Sequence, residues 1–144
     1  MIHEDTIKLM KECDSGIKMG LQGIEDALPY VQSEKLKRYL IDCRKEHEAL
    51  RDELDLILNS YHDGGKEPSF MLKSMSYIKT NVKLSMNATD EKVADLITDG
   101  CNMGIKSLNK YLNEYKAAEE KVKDITKKLI KLEEKLNDEI KSYL

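Results

Sequence analysis

At 144 residues the chain is long enough to bury one core and too short for two independent ones. Two prolines, one phenylalanine and no tryptophan argue against a sandwich, a barrel or a Pro-rich linker, and a charged fraction of 35% is the palette of long solvent-facing helices. The formal charge of −3, from 24 basic and 27 acidic side chains with the signs interleaved, leaves no electrostatic footprint for nucleic acid or an anionic membrane.

Apolar residues recur at helical spacing along most of the chain. Ile7, Met10, Cys13, Ile17, Leu21, Ile24 and Leu28 trace a first stripe from about Glu4, closed at Pro29 because the residue before proline is pushed out of the helical region. Leu36, Leu40, Cys43, His47, Leu50, Leu54, Ile57 and Tyr61 alternate by four and three, the seam of a helix packed nearly parallel to its neighbours. Ser33 is its expected N-cap, and Gly64-Gly65 releases the chain beyond it. After Pro68, the residues Phe70, Met71, Met75, Ile78 and Val82 predict a shorter helix. Asn87 or Thr89 then caps a third long helix bearing Val93, Ile97, Cys101, Ile105, Leu108 and Leu112. Val122, Ile125, Leu129, Leu132, Leu136 and Ile140 form the last stripe.

No proline or glycine separates the last two stripes, so one helix of about fifty residues competes with a turn near Lys116–Glu119. An internal repeat favours the turn. Cys13-Asp-Ser-Gly16-Ile17-Lys18 returns 88 residues on as Cys101-Asn-Met-Gly104-Ile105-Lys106. Glu48-Ala-Leu50-Arg-Asp52-Glu53-Leu54 returns 86 residues on as Glu134-Lys-Leu136-Asn-Asp138-Glu139-Ile140. Two matches in one order read as a duplicated helical hairpin. The expectation is an all-α chain, a single antiparallel four-helix bundle over residues 1–144: a hairpin over 4–61, a crossover with a short helix over 62–88, and a hairpin over 89–144.

Two hairpins joined by one long crossover resemble ferritin-like connectivity. With its Gly100-Cys101-x-x-Gly104 stretch set against that family's Gly-Glu-x-x-small pattern, the chain resembles a bacterial family of small ferritin-like bundles, uncharacterised in function and distantly related to rubrerythrins. The resemblance implies the fold, not an activity. Di-iron members of the fold would need inward glutamates and two Glu-x-x-His pairs, and the pattern fails here. Cys13 and Cys101 fall where bridging glutamates belong, and Cys43-Arg-Lys-Glu46 and Leu129-Ile-Lys-Leu132 stand in place of the pairs.

The residues that could carry chemistry are few. Cys13, Cys43 and Cys101 lie on apolar stripes, and His47 is one turn beyond Cys43. Stripes converge in a bundle, so the four could form a Cys₃His site for zinc or iron. The competing reading makes them plain core, since free cysteine behaves as a small hydrophobe. Gly16, Gly20, Gly23, Gly100 and Gly104 each weaken a helix, which calls for close approach of the first and third helices or for a pocket. Six methionines at helical spacing read as core filler, with Phe70, Met71 and Met75 as a candidate lid or partner-binding element.

An acidic start without an apolar run and three widely spaced cysteines point to a reducing cytoplasm, and no stretch reaches the roughly 20 apolar residues a spanning helix needs. The functional expectation is a bundle acting by binding or assembly, as a homo-oligomer or with a protein partner, without a cofactor, nucleic acid or membrane. A thiol-rich metal or redox module and a di-iron carboxylate oxidase or ferroxidase are the alternatives.

Overall fold

The computed structural model describes residues 2–61 and 89–144. Four long helices account for most of them, and no strand occurs among the described residues. They are α1 (Ile2–Ala27), α2 (Glu34–Ser60), α3 (Asp90–Glu114) and α4 (Glu120–Ile140), with single 3-10 turns at Leu28–Tyr30 and Lys141–Tyr143. The short helix expected over 62–88, with Phe70, Met71 and Met75, lies outside the described residues.

The ends follow from local chemistry. Ser33 caps α2, its hydroxyl accepting from the Leu36 amide at 3.2 Å, and Thr89 caps α3 by accepting from the Lys92 amide at 3.1 Å. Pro29 sits inside the 3-10 turn that ends the first helix. The chain does turn between α3 and α4, at Tyr115–Glu119, and the fifty-residue helix is excluded. Side chains from the start of α1 hold that turn: the Asp5 carboxylate accepts from the Ala117 amide at 3.1 Å and the buried Thr6 hydroxyl from the Glu119 amide at 2.9 Å. A second polar cluster links other helix termini. The Asp90 carboxylate accepts from the Gln32 and Ser33 amides, and the Ser33 hydroxyl lies 2.8 Å from that of Tyr143.

Helix α1 packs against α2 and α3, helix α4 packs against the same two, and α1 also meets α4. Their apolar faces close into two clusters rather than one. The first gathers Leu9, Cys13, Ile17 and Leu21 with Leu50 and Leu54, Leu108, and Val122 to Ile130. The second gathers Ile24 and Ala27 with Leu36, Leu40 and Cys43, Val93 to Cys101, and Leu136 and Ile140. Every helix therefore passes from one cluster to the other, α2, α3 and α4 near their middles and α1 between Leu21 and Ile24, towards its end.

Two stripes drift from their sequence register. In α2, Leu58 is buried while Ile57 and Tyr61 are only partly so. In α4, Glu133 is buried and Leu132 only partly. Both exchange a position three residues along the seam for one four along, the slack that a period of 3.6 leaves in a 4-3 reading.

Candidate functional site

Where α2 changes cluster, between Cys43 and Leu50, stands His47; where α4 does so, between Ile130 and Leu136, stands Glu133. Both are buried, at 2% and 7% exposure, in a core otherwise apolar at that level. Two ion pairs mark how the helices line up there: Lys135 meets Glu46 at 3.6 Å and Lys128 meets Glu53 at 3.5 Å. His47 and Glu133 both fall between these rungs, so they occupy one layer.

Each of the two side chains lies against a glycine of the other helix in its hairpin. A Cβ at Gly20 of α1 would sit 2.5 Å from Nε2 of His47 and 2.7 Å from its Cδ2. A Cβ at Gly104 of α3 would collide with Oε2 of Glu133 and lie 3.0 Å from its Cδ. Alanine at either site would occupy space that the polar group fills, which explains helix-interior glycines that cost about 1 kcal/mol each in helix propensity. Backbone approach between the first and third helices is not what these two glycines serve. Gly16 meets Leu129 and Leu108 instead, and Gly100 faces open space.

The protonation states follow from the contacts. His47 Nδ1 lies 2.8 Å from the carbonyl oxygen of Cys43. A carbonyl only accepts, so Nδ1 carries the hydrogen and Nε2 of the neutral ring is left as a bare acceptor. Burial lowers the proton affinity of His47, outweighing the Cys43 carbonyl that raises it, and keeps the ring neutral. Burial pushes Glu133 up to about 8, so at neutral pH it is predominantly the carboxylic acid. Neither His47 Nε2 nor Glu133 Oε2 finds a hydrogen-bond partner among the described residues. An unmet buried polar atom costs roughly 1–3 kcal/mol, so the layer is held at the expense of stability.

The sequence-predicted ligands are only partly brought together. Cys43 Sγ lies 3.5 Å from His47 Nδ1, and Cys101 shares the second cluster with Cys43. Cys13 belongs to the first cluster, against Thr126. Burial pushes the Cys13 and Cys43 thiols up to about 12, and the Cys101 thiol is driven up by burial and then by Glu133. All three stay protonated at neutral pH, the form that is neither nucleophile nor metal ligand. Among the described residues no group of three or more His, Cys, Asp or Glu side chains is placed to hold a metal ion.

Glu133 is the member that sequence reasoning missed. The signal was present: the 86-residue repeat displacement that carries Glu48 onto Glu134 carries His47 onto Glu133. An acid beside an apolar seam position reads as surface, and Leu132 took the seam in its place. Comparison with protein-family models, with curated proteins and with solved structures returns no match, so the chemistry of these residues has to carry the functional reading alone.

Proposed function

We propose that the chain is an antiparallel bundle of ferritin-like connectivity that acts by binding or assembly and not by catalysis. The carrying observation is that the side chains suited to acid–base, thiol or metal chemistry at its centre, namely Cys13, Cys43, His47, Cys101 and Glu133, are buried and held in neutral forms. Among the described residues, the surface left to a substrate is of mixed charge with a few exposed apolar side chains.

The order in which helices visit the two clusters supports the connectivity. Helices α1 and α4 run from the first cluster to the second, and α2 and α3 run from the second to the first. The pairs α1–α2, α1–α3, α2–α4 and α3–α4 are then antiparallel, while α1 and α4, and the successive helices α2 and α3, each point the same way. The end of α2 and the start of α3 accordingly sit in different polar clusters, Tyr61 donating to Glu119 and Asp90 holding Gln32 and Ser33. Two hairpins joined by a long crossover have this arrangement. The equivalent settings of His47 and Glu133 also fit a duplicated hairpin, and the resemblance to ferritin-like bundles stands on the same connectivity.

No helix among the described residues is long and apolar enough to cross a membrane. Assembly is tested by light scattering on the full chain over a concentration series. A dimer or larger species is expected, weakened by Leu56→Glu, because Leu56 is 74% exposed and is the most exposed large apolar side chain among the described residues. A monomer at every concentration would remove the assembly reading. The zinc or iron alternative is favoured by the Cys43–His47 contact alone. Metal analysis of protein purified without oxygen or chelator decides it: about one ion per chain, lost in Cys43→Ser, would replace the binding proposal with a metal site.

A further inference from the structure

The polar layer carries an inference that does not depend on what the chain binds. We propose that Glu133 is a proton-operated latch: it enters the core as a neutral carboxylic acid seated in the Gly104 notch, and loss of that proton expels the carboxylate and loosens α3 from α4.

The setting gives an ionised Glu133 nothing to pair with. No lysine or arginine is buried among the described residues. From α1 the layer receives Gly20, Leu21 and Ile24, none of them ionisable, while the two buried acids of that helix have partners on it, Asp14 in Lys18 at 2.9 Å and Asp26 in the Gln22 amide at 3.1 Å. From α2 come Cys43 and the neutral His47, and Glu46 on the outer side is bound to Lys135. Helix α3 contributes Cys101, a thiol, and α4 itself adds Glu139, a second acid acting on Cys43. A lone carboxylate in such a place is relieved only by moving to water. The carboxyl rests on Gly104, so its departure empties the contact that joins the middles of α3 and α4. Nearby, Asn137 donates to Asn102 at 2.8 Å from an exposed position, where water competes for the bond.

The direction of the pH response follows from linkage. Glu133 binds its proton more tightly when buried, so its stabilising effect is complete below the ordinary carboxyl value of 4.5 and is lost as pH rises through about 8. His47 works oppositely, since its folded-state affinity is lowered and it removes stability as pH falls below 6.5. Above 6.5 an imidazole exposed by opening is mostly neutral as well, so Glu133 dominates the slope. Between 6.5 and 8 the opening equilibrium rises several-fold per pH unit, below the tenfold limit of one whole proton released, and levels off above about 8.

Hydrogen exchange of the full chain tests this, read over residues 97–108 and 129–137 between pH 6.5 and 8 and corrected for intrinsic exchange. The wild type is expected to lose protection several-fold per pH unit, and Glu133→Gln, which keeps the shape and cannot ionise, is expected to show no loss. Parallel curves for the two proteins would overturn the latch. Infrared spectroscopy of the wild type gives a readout that needs no variant. A protonated-carboxyl band that persists at neutral pH and falls to about half near pH 8 is expected, and its absence at pH 6.5 would overturn the proposal equally.

Discussion

Three helix-interior glycines of this chain have three different surroundings, so alanine should sort them. Gly100 is exposed and meets nothing within 4 Å. Gly100→Ala is expected to stabilise the protein by about 0.5–1 kcal/mol, the helix-propensity gain with no steric term against it. At Gly20 the added methyl meets an imidazole that is buried and pinned through Nδ1. Gly20→Ala is expected to destabilise by about 1–3 kcal/mol, overpacking outweighing the same propensity gain. At Gly104 the obstacle is the far end of a flexible glutamate, so the net change should fall between the two. Urea denaturation with a constant m-value separates the cases, and equal shifts at Gly100 and Gly20 would contradict the notch. At this scale the sequence was a partial guide. It singled out the glycines and His47, because each interrupts an apolar or helix-favouring pattern. It could not show that the glycines serve polar side chains, since His47 lies 27 residues from Gly20 and Glu133 lies 29 from Gly104.

Helix boundaries were legible wherever the stop or start signal is local. Ser33 and Thr89 each cap their own helix, and Pro29 marks its turn within the same few residues. The turn at Tyr115–Glu119 was ambiguous for a physical reason: what ends α3 and starts α4 comes from the other end of the sequence. Glu119 occupies the N-cap position of α4 and makes no side-chain cap, and its own amide is held by the Thr6 hydroxyl. Thr6 is fully buried and also donates to the carbonyl of Ile2, which fixes its hydroxyl between two backbone groups. Thr6→Val preserves shape and removes both bonds. It is expected to destabilise by about 1–2 kcal/mol and to speed amide exchange over residues 117–122 before the rest of α4. Asp5→Asn should have a smaller effect, because its bond to the Ala117 amide is exposed and a side-chain carbonyl can still accept. If Thr6→Val leaves exchange at the turn unchanged, the cap lies elsewhere.

For the whole molecule, the architecture reduces to which helices are neighbours and which way they run. The stripes specified four amphipathic helices, but an apolar face does not name the face it will meet. That information resides in features invisible to periodicity, chiefly the level at which each stripe passes between the two core clusters. The ion pairs Lys135–Glu46 and Lys128–Glu53 report the result independently. Moving seven residues up α2, from Glu46 to Glu53, moves seven residues down α4, from Lys135 to Lys128. Two rungs two turns apart, in reversed order, fit adjacent helices running in opposite directions. The pairs are exposed and worth about 0–1 kcal/mol each, so they do not determine the packing. Their value is as reporters. A zero-length carbodiimide should join Lys135 to Glu46 and Lys128 to Glu53 within one chain, both found by mass spectrometry of a peptide digest. Recovering the two links in that order supports the ferritin-like arrangement, because it places α2 beside α4 and leaves α2 and α3 on a diagonal. Links from α2 to α3 in their place would require the opposite pairing. Glu133 and His47 would then no longer share a layer, and the latch would lose its geometric basis along with the fold.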